Sequence, residues 1–266
     1  MTIKSNYMIH TNGIDMYCEV SGSGPAIILI PDGSNDCEPY DNLAQRLAEE
    51  FQVITFDMRG GTRSPDPDPK PVTPRLLTED IVGIINYFNL KEVTLYGCSS
   101  GGITSLTIGK YYPELIRNVI VHEAALQTKT PIKDTGYRFF ETVNQFKPDC
   151  INQVKPSDIW GTTDKSSLFS LSEGYFQRRE QNSEFWHKWY LKSIDSESFT
   201  AEQLKKIPNL QFTVGTWSPA WLAFANIEAA SESNRPYKWF ECSHHPEITC
   251  PDDYALFIAE TTRQYL

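Results

Sequence analysis

Val93-Thr94-Leu95-Tyr96-Gly97-Cys98-Ser99-Ser100-Gly101-Gly102-Ile103 is the stretch that decides the fold. Its first four residues are apolar or β-branched without polar alternation, as in a strand buried on both faces of a parallel sheet. Gly97-Cys98-Ser99-Ser100-Gly101 then matches G-x-S-x-G, and a helical pattern runs on to Tyr111. That pattern between a strand and a helix is the setting of a nucleophile elbow, a turn so tight that small residues are needed two before and two after the serine. A helix N-terminus behind Ser99 would also favour the negative charge that develops during attack. Ser99 is therefore the expected nucleophile. Ser100 is a rival, but its own motif would need glycine at position 98, which is Cys98.

Working outward, Ala26–Ile30, Val53–Phe56 and Val119–Val121 read as further buried strands, with helices expected over 38–50, 74–88 and 101–111. Tyr7–His10 and Asp15–Val20, joined by Thr11-Asn12-Gly13, read as a hairpin. The sheet pattern returns at Leu210–Val214 and Tyr237–Phe240, and a last helix is expected over 252–266. Strands alternating with helices imply βαβ crossovers. The fold class is α/β, and the elbow specifies the α/β-hydrolase fold: a mostly parallel eight-stranded sheet flanked by helices. Between Gln127 and Lys206 the rhythm changes to polar, aromatic-rich helical sequence. The expected organisation is a core of residues 1–126 and 207–266 with an inserted helical cap over 127–206.

The base must come late in the chain in this fold, after the last strand. Only His244 and His245 qualify, in Cys242-Ser243-His244-His245-Pro246. Pro251 lies seven residues after His244 and Pro251-Asp252-Asp253 reads as a helix start, which favours His244 over His245. The acid's usual seat, a loop after the penultimate strand, reads Gly215-Thr216-Trp217-Ser218-Pro219 and holds no carboxylate. The alternative seat is the end of the preceding core strand, Val121-His122-Glu123, where a carboxylate leaving a buried strand needs a cationic partner. Glu123 is the expected third member of the triad. Asp57 also ends a strand and is a rival, although Asp57-Met58-Arg59-Gly60 reads as a structural turn. The oxyanion donors are expected to be the backbone N–H of Ser100 and of Gly33, the latter in the loop after Ala26–Ile30. Asp32 would stand at the pocket mouth, either accepting a substrate hydroxyl or holding its loop through an Asx-turn.

Composition bounds the partners. Hydrophobic residues make up 40% and charged residues 22% of 266, enough for a sizeable core, and the formal net charge of −10 argues against nucleic acid and anionic membranes. The N-terminus shows no signal-peptide pattern and no run spans a membrane, so a cytoplasmic location is expected. Six cysteines at 18, 37, 98, 150, 242 and 250 form no CxxC pair and read as reduced thiols. No Cys/His spacing suggests zinc, so neither a metal nor an organic cofactor is expected. The expected partner is a small hydrophobic ester or lactone, and a homodimer is left open.

With these residues in hand, the chain resembles the fungal zearalenone lactonases, α/β-hydrolases that open the macrocyclic ester of a resorcylic acid lactone. The resemblance rests on Pro31-Asp32-Gly33, Thr55-Phe56-Asp57-Met58, the elbow with its Cys98, His122-Glu123, Phe212-Thr213-Val214-Gly215 and Glu260-Thr261-Thr262. It implies a Ser-His-Glu triad with the glutamate at Glu123. It also implies a cap tryptophan over the substrate, matched by Trp186 in Asn182-Ser183-Glu184-Phe185-Trp186, with Tyr190 as a nearby aromatic. Where that family has Gly-Met before and Phe after the catalytic histidine, this chain has Cys242-Ser243 and His245, so the pocket is expected to be more polar near the base. The expected activity is cleavage of zearalenone-like lactones. The alternatives are a carboxylesterase for other hydrophobic esters and a ligand-binding receptor of the same fold.

Overall fold

The central strands are buried along nearly their whole length, as in a sheet covered on both faces. A computed structural model describes residues 3–126 and 171–266. Eight strands form one sheet: β1 (Lys4–Thr11), β2 (Ile14–Ser21), β3 (Ala26–Ile30), β4 (Gln52–Phe56), β5 (Val93–Cys98), β6 (Ile116–His122), β7 (Gln211–Gly215) and β8 (Tyr237–Phe240). Their spatial order is β1-β2-β4-β3-β5-β6-β7-β8. β1 and β2 pair antiparallel, β2 joins β4 antiparallel, and every pairing from β4 to β8 is parallel. The Asn12-Gly13 turn that closes the first hairpin has φ of 47° and 81°, which the residues at those positions tolerate.

The period of two sorts β3 between two core layers. Ile28 and Ile30 face a layer with Ile81 and Ile84 of α2 (Pro74–Tyr87) and Leu106 of α3 (Ser99–Tyr111). Ile27 and Leu29 face the opposite layer, with Leu43 and Leu47 of α1 (Asp41–Leu47) and Tyr254 and Ile258 of a helix at Pro251–Arg263. Truncating any of these fully buried side chains to Ala costs roughly 2–5 kcal/mol. The expected 38–50 helix is shorter, because Pro39 favours a 3-10 turn at Glu38–Tyr40 before the α-helix begins. The last helix does begin at Pro251, preceded by a short helix at Pro246–Thr249.

Of the expected cap, residues 127–170 lie outside the described residues. Its described part comprises a helix at Glu173–Phe185, a π-helical turn at Trp186–Tyr190 and a 3-10 segment at Leu191–Ser196. Ser172 caps the first of these by accepting from Tyr175 N. Arg178 ties it to the loop after β3, with Nε to Asp36 at 2.5 Å and a second nitrogen to Glu38 at 2.7 Å. Asn182 fixes its far end, donating to Ser34 O at 2.9 Å and accepting from Thr62 N at 2.8 Å.

Candidate active site

Five chain segments leave the sheet at the C-terminal edge of parallel strands, where this class of sheet binds its ligands. They follow β3, β5, β6, β7 and β8, and they bring Asp32, Ser99, Glu123, Gly215 and His244 together. Ser99 has φ 53° and opens α3 directly after β5. The elbow is possible only because its flanks lack side chains. A Cβ at Gly97 would lie 2.3 Å from Gly101 O, and one at Gly101 would lie 2.5 Å from Ile30 O and Pro31 O. Among the described residues eight non-glycines have positive φ, five of them asparagines; Ser99 and Glu123 are two of the remaining three. A left-handed conformation costs a serine or glutamate roughly 1–2 kcal/mol, so its presence at both positions marks a constrained site.

Glu123 follows β6 and is wholly buried. Its Oε2 accepts from His244 Nδ1 at 2.7 Å and its Oε1 accepts from Gly215 N at 2.9 Å. Burial pushes this carboxyl up, but the imidazoles of His122 and His244 and the Gly215 N–H pull it down further, to about 2. Burial takes His122 down to about 4, so near neutral pH it is uncharged and the His244 and Gly215 hydrogen bonds carry the balance. His122 Nε2 donates to Ser243 O at 3.3 Å, and its Nδ1 meets the Thr213 hydroxyl at 3.0 Å. Thr213 in turn bonds Tyr254 O–H at 2.6 Å. A neutral imidazole thus pins the loop that carries His244.

With Nδ1 committed to Glu123, His244 keeps Nε2 for chemistry, and both His244 and Ser99 line one pocket. Asp57, the rival acid, is engaged elsewhere: Arg63 binds its two oxygens at 2.7 and 2.8 Å, and Cys37 N donates to it at 3.0 Å. Gly33 also lines the pocket. In the turn at 32–35, Asn35 N bonds Asp32 O at 3.1 Å and Ser34 N bonds the Asp32 carboxylate at 2.8 Å, so neither bond uses the Gly33 N–H. Ser100 lies in the first turn of α3, where N–H groups have no acceptor within the helix.

Asp32 makes its Asx-turn and faces the pocket as well. His245 Nδ1 stands 3.6 Å from Asp32 and 3.0 Å from Glu247. Burial disfavours the charged imidazole, but Glu247 and Asp32 outweigh it and raise the His245 pKa. Burial likewise opposes ionisation of Asp32, and His245 with the Ser34 bonds prevails, lowering its pKa. Glu247, buried at 1% exposure, also accepts from Tyr96 O–H at 3.0 Å. The sequence alone did not single out Glu247; nothing local reveals that Tyr96 lies beneath it.

Trp186 lines the pocket against Gly33, where a Cβ would come within 3.0 Å of the indole Nε1. Its Nε1 is buried and has no hydrogen-bond partner among the described residues. Tyr190 is not part of the lining. It is 2% exposed in the core, edge-on to Trp186 with ring centroids 6.2 Å apart. The cap's contribution to the lining, together with Trp186, is instead Tyr175, Arg179, Ser183 and His187. Their spacing of four places them on one helical face, a signal the sequence did carry.

Among the described residues Cys18, Cys37, Cys98, Cys242 and Cys250 are all free thiols, and no helix is long and apolar enough to cross a membrane.

Comparison with known proteins agrees with this architecture. The family described as alpha/beta hydrolase fold matches residues 25–188. A zearalenone hydrolase from Cladophialophora bantiana is 30% identical over 261 residues, covering 96% of this chain and 95% of that protein. A second zearalenone hydrolase, from Bionectria ochroleuca, is 29% identical and covers 96% of each. Among solved structures, a thermophilic esterase from Thermogutta terrifontis superposes with a TM-score of 0.72 at 18% identity, covering 100% of this chain and 99% of that one.

Proposed function

The chain belongs to the zearalenone hydrolase family of α/β-hydrolase-fold proteins and is a hydrolase of ester or lactone bonds; from that premise we propose that it opens the macrocyclic lactone of zearalenone or a related resorcylic acid lactone through Ser99, His244 and Glu123. One observation carries the reading. The buried Glu123 holds His244 Nδ1 at 2.7 Å, and His244 faces the same pocket as a serine in the strained elbow conformation.

The steps follow from the groups in place. Ser99 Oγ attacks the ester carbonyl carbon while His244 Nε2 takes its proton. The carbonyl oxygen becomes an oxyanion, which the Gly33 and Ser100 N–H groups stabilise. As the tetrahedral species collapses, His244 protonates the leaving alkoxide, and the ring opens with the acyl group on Ser99. Water then attacks with His244 again as base, the acid leaves, and Ser99 recovers its proton. Glu123 stays ionised throughout and stabilises the imidazolium. From the described part of the cap, Trp186 lines the site and offers an aromatic surface to the substrate.

Incubation with zearalenone, its reduced alcohols and simple aryl esters, followed by chromatographic detection of the ring-opened acid, tests this. Turnover of the lactones that is lost in Ser99→Ala supports it. A second reading draws on the polar lining, Asp32, Arg179, His187 and His245, which departs from a wholly apolar lactone pocket and favours a carboxylesterase for other hydrophobic esters. Wild-type protein that ignores zearalenone but turns over aryl esters would establish that reading. Binding without steady turnover of any ester would point to a receptor of this fold.

A further inference from the structure

Behind one wall of the pocket, three groups that the ester hydrolysis does not use as nucleophile, base or acid converge. The Cys98 thiol, the His245 imidazole and the Glu247 carboxylate each contribute one ligand-type atom, and these atoms lie within 4.8 Å of one another. We propose that Cys98, His245 and Glu247 form a binding site for a thiophilic divalent cation of the zinc class, entered from the pocket beside Ser99.

The donor set selects the class of ion. A thiolate, an imidazole and one carboxylate suit Zn²⁺ or Cd²⁺, whereas Mg²⁺ and Ca²⁺ require oxygen ligands. Ligands at tetrahedral Zn–S, Zn–N and Zn–O lengths stand roughly 3.5 Å apart, so closing the site takes movements on the order of 1 Å. Charge balances as well, since a thiolate and a carboxylate neutralise a dication. Tyr96 O–H at 3.0 Å from Glu247 Oε2 orients the carboxylate from behind. Cys98 and Glu247 are almost fully buried, and His245 and Glu247 open onto the pocket, so solvent would supply the fourth ligand from that side.

In the metal-free state the Cys98 thiol donates to His244 O at 3.0 Å. On binding, that hydrogen bond and the 3.0 Å one between His245 Nδ1 and Glu247 break, the protons of the thiol and of the coordinating imidazole nitrogen pass to solvent, and the sulfur, imidazole nitrogen and carboxylate oxygen bond the cation. No redox change is involved. The ion would then fill the pocket end next to Ser99 and detach the elbow from the His244 loop, inhibiting the proposed hydrolysis reversibly. Positions 98 and 245 are remote in sequence, which is why ligand spacing gave no hint of this grouping.

Cd²⁺ binding to the full chain, followed by thiolate-to-metal charge-transfer absorbance, tests the site without reference to turnover, and calorimetry with Zn²⁺ gives the stoichiometry. One saturable equivalent is expected, with the absorbance lost in Cys98→Ser and retained in Cys242→Ser. Glu247→Gln, which keeps a similar shape beside Tyr96, should weaken Zn²⁺ at least about tenfold, since even outer-shell changes cost that much. Absence of saturable binding, absorbance that survives Cys98→Ser or disappears with Cys242→Ser, or unchanged affinity in Glu247→Gln would each overturn the proposal. If Cys98→Ser fails to fold, the Glu247→Gln affinity alone decides it.

Discussion

Gly215 N donates a 2.9 Å hydrogen bond to Glu123 Oε1, so the end of β7, where this fold usually carries the acid, holds instead the proposed acid at the end of β6. Glycine is needed there because a Cβ would lie 2.5 Å from Cys242 O and 2.9 Å from Ser243 O. Gly215→Ala should therefore push the His244 loop away from Glu123. The expected result is a fall in kcat of roughly tenfold or more with KM nearly unchanged, since misplacement by about an ångström is costly in the chemical step. A variant with wild-type kcat would show that the bond does not position the acid.

The proposed triad predicts non-additivity. Ser99→Ala should lower kcat by on the order of 10³ or more while the protein stays folded and binds substrate. Glu123→Ala and His244→Ala should each be severe, and the double variant little worse than His244→Ala, because the pair acts as one unit. Steady-state rates of the three variants check this. Full activity in Glu123→Ala together with loss in Asp57→Asn would reassign the acid, and an inactive His245→Ala beside an active His244→Ala would reassign the base.

His122 gives acid sensitivity with a defined sign. Its folded-state pKa, near 4, lies below the ordinary value of 6.5, so between these pH values the unfolded chain takes up a proton that the folded one refuses. Stability should fall as pH drops through that window, by on the order of 3 kcal/mol. Glu123 acts in the adjoining window: its depressed carboxyl contributes stability that is present above 4.5 and lost as pH falls towards 2. Urea midpoints between pH 7 and pH 4 should decline in wild type and flatten in His122→Gln. Parallel declines in the two proteins would remove His122 from this role.

These relationships show how far the sequence could be read. Ser99 and His244 could be proposed because each is tied to a local pattern that the fold reproduces: a strand-glycine-helix elbow, and a proline seven residues on that opens the last helix. Glu123 could be proposed by absence, as the empty acid seat after β7 left two strand-end carboxylates, Glu123 and Asp57, of which Asp57 reads as part of a structural turn. The pinning of the histidine loop by His122, and Tyr96 beneath Glu247, join residues more than a hundred positions apart, and no local periodicity encodes such contacts. Tyr190 shows the opposite failure. Its position beside Trp186 suggested a substrate contact, but the π-helical turn carries it into the core, behind the indole.

That placement sharpens what Trp186 should do. Its ring lies flush against Gly33 on the pocket side and is backed edge-on by Tyr190, so its exposed face is held rigidly next to one of the proposed oxyanion donors. An aromatic substrate ring stacked there is worth about 0.5–1.5 kcal/mol beyond the area it buries. Trp186→Ala should therefore slow lactone hydrolysis at least about tenfold in kcat/KM while sparing a small acetate ester that does not reach the cap. Trp186→Phe, which keeps an aromatic face but loses the unpaired N–H, should recover part of the loss for the lactone. Measuring kcat/KM of both variants on a resorcylic acid lactone and on the acetate separates the possibilities. If the two substrates decline equally, the indole only supports the packing of the cap on the β3 loop, and recognition of the lactone ring must lie with the wall formed by Tyr175, Arg179 and Ser183.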